Sequence, residues 1–301
     1  MFKIRYSKLK FILKIERDCS LPSFKNSALR GGMGKMLMEF SCFGNGNCNE
    51  CNYKDDCMVD KVMYSKLKYK PQFIANDKSV GYIIDCVDKR IEFKKGDELK
   101  FNLILFGDTI DFASNFIYAF DVLGRKGLGK YNNKYSIKNV LNENEINVLT
   151  DGRILKNNIM IKYVSEYIQE RKKQLQNLPT LMINFISPFR YKVDGHYTSN
   201  ISINDIKLAL NRRMTILNGY EGIENKDNIE SENTIITSSQ LRWSENKRYS
   251  SRQKESMKLG GVEGNVFLNI ENEKFLDLLI AGELVHIGKN TSFGLGKYIL
   301  V

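Results

Sequence analysis

The sequence predicts an α+β protein built from two copies of a β-α-β-β-α-β unit. Three observations carry that reading. The chain has 301 residues, 42% of them hydrophobic, enough for two buried cores at roughly 100 to 200 residues per domain. The pentapeptide GLGKY occurs twice, at residues 127–131 and 294–298. Each copy follows an amphipathic helical pattern, residues 112–123 and 273–284, and leads into a strand-like run, so strand, helix, two strands, helix, Gly-rich loop and strand can be drawn twice.

In the first copy, Leu9, Phe11, Leu13 and Ile15 alternate with Lys8, Lys10, Ile12 and Lys14, as a half-buried strand requires. Leu21 and Pro22 stop it. Ser23 can cap a helix through Phe40, in which Phe24, Ala28, Leu29, Met33, Met36, Leu37 and Phe40 share a face. Glycine costs a helix up to about 1 kcal/mol relative to alanine, so Gly31, Gly32 and Gly34 together predict a close approach by another backbone or a ligand. Strands follow over residues 82–87, 90–93 and 99–106. The second copy begins at Leu178, with a strand over 181–185, a helix over 203–217, a polar loop over 218–233, and strands over 234–243 and 262–270 joined by a basic segment at 247–254. The charged stretch 166–177 separates an N-terminal domain, residues 1–165, from a C-terminal domain, residues 178–301.

Lys and Arg total 46 against 35 Asp and Glu, a net charge of +11. Such a surface favours a polyanionic partner, because each phosphate neutralised releases counterions, and nucleic acid is the leading expectation. No apolar run approaches the roughly 18 residues of a membrane span, and the start lacks the apolar core of a secretory signal. A cytoplasmic protein without membrane contact is expected.

Cys42, Cys48, Cys51 and Cys57 read C-x5-C-x2-C-x5-C within an insertion at residues 42–57. Four thiolates among Gly and Asn turn residues suit a closed tetrahedral metal, structural zinc first and an iron-sulfur cluster second. A closed site leaves no coordination position for substrate, so no catalytic metal is expected there. Cys19 and Cys86 read as core residues.

A Gly-rich loop between helix and strand can present backbone N–H groups to phosphate. Lys289, Gly294, Gly296 and Lys297 supply the terminal one, and Arg125, Lys126 and Lys130 flank its first copy. Neither loop has the Walker form, which disfavours a nucleotide-hydrolysing site. The basic segment sets Arg242, Lys247, Arg248, Arg252 and Lys254 beside Trp243 and Tyr249, a combination that can stack unpaired bases and hold phosphates. Of two histidines, His196 lies in a polar turn and His286 adjoins the terminal loop. A histidine there can transfer a proton during RNA cleavage, and it reads equally well as a hydrogen-bonded strand residue.

The chain resembles the sixth family of CRISPR-associated proteins, the endoribonucleases of the RAMP superfamily that process precursor CRISPR RNA. The resemblance rests on Leu29-Arg30-Gly31-Gly32-Met33-Gly34, the four-cysteine insertion, Ser187-Pro188-Phe189-Arg190, the run from Arg248 to Gln253 with Gly260-Gly261, and Gly282-Glu283 through Gly296. It implies tandem ferredoxin-like, RRM-related domains, binding of CRISPR repeat RNA, and metal-independent cleavage through the 2′-OH that leaves 5′-OH and 2′,3′-cyclic phosphate ends. Arg30 joins the RNA-binding candidates on this basis. Many members carry a catalytic histidine in or near the first helix, where this chain has only Lys25, Arg30 and Lys35. The catalytic set is therefore His286 with Tyr249 and Lys35 as helpers. The alternative is a non-catalytic subunit that holds guide RNA in a CRISPR effector complex. A zinc-dependent DNA-binding protein comes last, for want of a helix-turn-helix or paired finger spacing.

Overall fold

The computed structural model describes residues 1–44, 46, 48–53, 56–75, 78–175, 181–225, 228–250 and 255–301. Two compact units divide the chain. One contains Tyr6–Leu67 and Ala75–Ile161; the other contains Lys162–Val301 with Met1–Arg5 and Lys68–Ile74.

The first unit runs β1 (Arg5–Ile15), α1 (Asn26–Ser41), α2 (Met58–Met63), β2 (Tyr82–Asp85), β3 (Glu98–Phe106), α3 (Ala113–Lys126) and β4 (Tyr135–Leu141). Its strands pair antiparallel in the order β4-β1-β3-β2, the ferredoxin-like arrangement. The alternation in β1 sends Leu9, Phe11, Leu13 and Ile15 inward. Phe11 pairs with Phe101 of β3, their rings stack at 4.7 Å, and Phe120 of α3 closes on both at 5.0 and 4.8 Å. Burying each such ring contributes about 1.5–3 kcal/mol. A Cβ on Gly32 would lie 2.6 Å from Leu123 of α3, so that glycine lets the two helices close over the sheet. Helix α1 begins three residues beyond Ser23, which does not cap it; Lys25 holds the N-cap position without a side-chain cap.

The second unit contains α4 (Val164–Leu175), β5 (Leu181–Phe189), β6 (Lys192–Val193), β7 (His196–Tyr197), α5 (Ile203–Tyr220), β8 (Thr234–Ser250), β9 (Glu255–Ile270), α6 (Glu273–Val285) and β10 (Tyr298–Leu300). Strand order β8-β9-β5-β10 repeats that of the first unit, so the molecule is a tandem of ferredoxin-like folds. Ser202 and Asp205 form a reciprocal capping box on α5. The core stacks Phe185 on Phe189 at 5.0 Å and sets Tyr298 edge-on to Phe185 at 5.5 Å. Most of the stretch read as a separator is the helix α4, tied to α6 and β10 by Arg171, which donates to Glu283 and to the Leu300 carbonyl. Leu178, read as the start of the second copy, lies outside the described residues.

The β8–β9 pair is longer than the sequence suggests. Its ladder continues through Lys247↔Lys258 and Arg248↔Met257 to Ser250↔Glu255, so residues 247–250 of the basic segment are strand, and 251–254 lie outside the described residues. Arg242, Trp243, Glu245, Met257 and Lys258 are exposed, so this stretch carries no apolar alternation and the period-two signal disappears with it.

Candidate nucleic-acid interface

The terminal loop is tightly folded. Helix α6 ends at His286 (φ 53°), and positive φ recurs at Gly288, Asn290, Gly294 and Gly296. A Cβ on Gly296 would sit 1.7 Å from the Ile287 carbonyl oxygen, so only glycine fits. Six N–H groups of this segment donate to the protein itself: Ile287 to Gly296, Lys289 to Arg190, Phe293 to Asn290, Gly294 to Thr291, Gly296 to Pro188, and Lys297 to Ser187 Oγ, at 2.8–3.0 Å. Ser187 Oγ donates in turn to the Gly294 carbonyl at 2.7 Å. Residues 291–296 are buried. Gly294 and Gly296 thus form a latch against the end of β5, and exposed Lys289 supplies outward charge while Lys297 is half-buried. His286 is 1% exposed and its N–H donates to the Gly282 carbonyl. The first loop is built alike: Gly127 and Gly129 have positive φ, Leu128 and Asn133 exchange backbone hydrogen bonds, and Lys130 extends over the ring of exposed Tyr131.

Cations line the β8–β9 arm. Arg242 and Lys258 are exposed, and Trp243 lies against Gly260, where a Cβ would meet its ring at 2.5 Å. Arg248 and Tyr249 belong to β8 by backbone position. Arg252 lies outside the described residues.

A small hairpin beside the arm completes this surface, and motif reading missed it. Strand β5 leaves the sheet after Phe189, its last partner on β9 being Val262. Arg190 takes over, donating Nη1 to the carbonyls of Lys258 and Gly260 at 3.1 and 3.2 Å. Its guanidinium carbon lies 3.9 Å from the centroid of the Tyr197 ring, over which Lys192 Nζ also rests at 4.8 Å. The available signal was Asp194-Gly195, both at positive φ here, the pair that builds a tight β-hairpin turn.

In the first unit the candidate cations are held lightly. Lys35 and Lys126 both pair with Glu39, and Arg125 pairs with Asp121 at 2.8 Å. Exposed pairs of this kind contribute at most about 1 kcal/mol, so these side chains can turn to phosphates at small cost. Arg30 is half-buried, 5.9 Å from the Tyr82 ring centroid. Cys42, Cys48, Cys51 and Cys57 are half-buried and not joined in disulfides. Cys42 donates to the Gly44 carbonyl at 3.6 Å and Cys48 to that of Gly46 at 3.9 Å. Among the described residues no three Cys, His, Asp or Glu side chains converge as a metal-binding group, so the thiols fit a metal by chemistry and not by their present arrangement.

Two ferredoxin-like units, a Gly-rich latch and a basic aromatic arm define a class of RNA-binding proteins. Residues 4–164 match a family model described as the AF_1859 N-terminal domain, and residues 183–298 match that of the CRISPR-associated endoribonuclease Cas6. The second unit therefore carries a domain of the Cas6 family of CRISPR-associated endoribonucleases. An uncharacterized protein of Archaeoglobus fulgidus is 22% identical over 282 residues, 92% of each chain. A Thermus thermophilus Cas6 (TTHB231) superposes with a TM-score of 0.54 at 11% identity, over 99% of both chains. A partial Cas6-RT-Cas1–Cas2 complex contains a chain that superposes with a TM-score of 0.62 at 14% identity; this chain is covered to 99% and spans 46% of that longer one.

Proposed function

We propose that this protein binds the repeat RNA of CRISPR transcripts and cuts it by attack of a 2′-OH on the adjacent phosphate, releasing a 5′-OH and a 2′,3′-cyclic phosphate. The observation that carries this reading is the match of residues 183–298 to the Cas6 model, on a unit whose exposed arm and hairpin carry cations beside aromatic rings. Backbone attack of this kind needs a base at the 2′-OH, an acid at the leaving oxygen and cations on the phosphorane, and no metal. His286, Tyr249 and Lys35 are the proton-transfer candidates. Arg30, Arg125, Lys126, Lys130, Arg248, Arg252, Lys289 and Lys297 are the RNA-binding set, with Gly294 and Gly296 shaping the loop. His286, at 1% exposure, can meet RNA only if the latch after it opens. His286→Ala that stops cleavage with an unchanged unfolding temperature supports transfer by its ring, whereas loss of both assigns it to the latch.

The decisive experiment incubates the full chain with repeat RNA in EDTA and maps the ends. One cut with cyclic phosphate and 5′-OH ends is expected; binding without cutting supports an RNA-holding subunit instead. The Cas6-RT-Cas1–Cas2 likeness supports a CRISPR complex as a further partner. Four thiols in one segment support a structural zinc: about one zinc per chain by elemental analysis is expected, and visible absorption with iron would instead mean a cluster.

A further inference from the structure

We propose that the β6–β7 hairpin, with Arg190 and Lys289 at its base, is a binding site for an unpaired nucleotide: Tyr197 stacks the base, and Lys192 and Lys289 hold its phosphates. The inference rests on the RNA reading above and assigns a specific site within it.

A stacking platform must be an exposed ring fixed before the base arrives. Tyr197 is 38% exposed, on a two-residue strand that would have little rigidity alone. Arg190 supplies the rigidity. Its guanidinium is anchored to the Lys258 and Gly260 carbonyls where β5 departs, and its central carbon lies over the Tyr197 ring, 3.9 Å from the centroid. The Arg190 carbonyl is itself fixed by the Lys289 N–H at 2.9 Å, which ties the hairpin base to the terminal latch. Arg190 is thus a positioning residue, committed to protein carbonyls.

The charges around the ring fit the remainder of a nucleotide. Lys192 faces Tyr197 across the ribbon and has its ammonium over the ring, where a base would displace it. Lys289 is exposed. Among the described residues neither ammonium has a carboxylate within ion-pair distance, so both are available to phosphate without breaking an existing pair. Asp194 in the turn is the ribbon's own acidic residue, and its place at the tip directs phosphates to the base. An aromatic face beside the Lys192 ammonium, with Lys289 tied by its backbone to the hairpin base, stacks any base, so the ligand is single-stranded RNA without strong sequence preference.

The test measures binding of a short unstructured oligouridylate to the full chain, after repeat RNA has been shown to bind and be cut by the wild type. Tyr197→Leu is expected to weaken oligouridylate binding by roughly fivefold to a hundredfold, the range for loss of one base stack, while Tyr197→Phe binds as the wild type. Lys192→Gln is expected to lower the slope of log affinity against log salt by about one. Unfolding temperatures control for folding. Wild-type affinity in Tyr197→Leu, or equal losses in the Phe and Leu variants, overturns the site and leaves the RNA reading standing; failure of the wild type to bind repeat RNA sinks the RNA reading and the site together.

Discussion

Lys25 shows what one residue contributes beyond its type. It is fully buried, with Nζ donating to the carbonyls of Asp88 and Arg90 at 2.9 and 2.5 Å and lying 5.2 Å from the Phe93 ring centroid. Burial lowers its pKa from the ordinary 10.5. The unfolded lysine then keeps its proton to higher pH than the folded one. Between the folded pKa and 10.5 the unfolded state binds more protons, so stability rises with pH across that window and the gain is complete above it. Denaturant titrations in that range should show the rise in the wild type and lose it in Lys25→Met. Gly296→Ala meets both the clash at the Ile287 carbonyl and a left-handed φ of 69°. The strain alone is worth about 1–3 kcal/mol, so calorimetry should show a clearly lowered unfolding temperature.

Among the elements, the β8–β9 arm behaves differently from the sheet that bears it. Toward its base Val262, Val266 and Leu268 are buried and lock the register, whereas Arg242 and Lys258 face water. Substitutions on the arm should therefore change binding and not folding. Arg242→Glu with Lys258→Glu should weaken repeat-RNA binding and flatten its salt dependence by about two, with thermal unfolding unchanged within about 0.5 kcal/mol; an unaltered salt slope would remove the arm from the interface. Helix α6 is the opposite case. A Cβ on Gly282 would lie 2.0 Å from the Tyr298 hydroxyl, which donates to the Leu279 carbonyl at 2.5 Å. Gly282→Ala should cost about 1–3 kcal/mol through overpacking, read by denaturant unfolding.

For the whole molecule, the repeat of strand order in two units means that one sequence pattern was solved twice. In each, the Gly-rich turn joins the second helix to the last strand, and a glycine there reaches φ values other residues avoid. No described helix is long and apolar enough to cross a membrane. A charge of +11 makes association with RNA strongly salt-dependent, so repeat-RNA affinity should fall steeply as salt rises while cleavage persists in EDTA; loss of cleavage in EDTA, restored by a divalent ion, would count against the 2′-OH mechanism.

The sequence by itself determined the fold class, because alternation such as Leu9-Phe11-Leu13 and the paired GLGKY loops are local signals that burial enforces. It also placed the four cysteines in one segment and the cations at both loops. Only the tertiary structure decided what those loops do with their N–H groups: Gly296 and Lys297 donate to Pro188 and Ser187, partners more than a hundred residues away that no local pattern names. The same holds for His286, which reads from sequence as a proton-transfer group or a strand residue and which the structure sets, buried, at the end of a helix between Val285 and Ile287. It holds again for Arg190 and Tyr197, brought together where a strand leaves its sheet. Periodicity records which face is buried; which distant group meets which is fixed only when the sheets close.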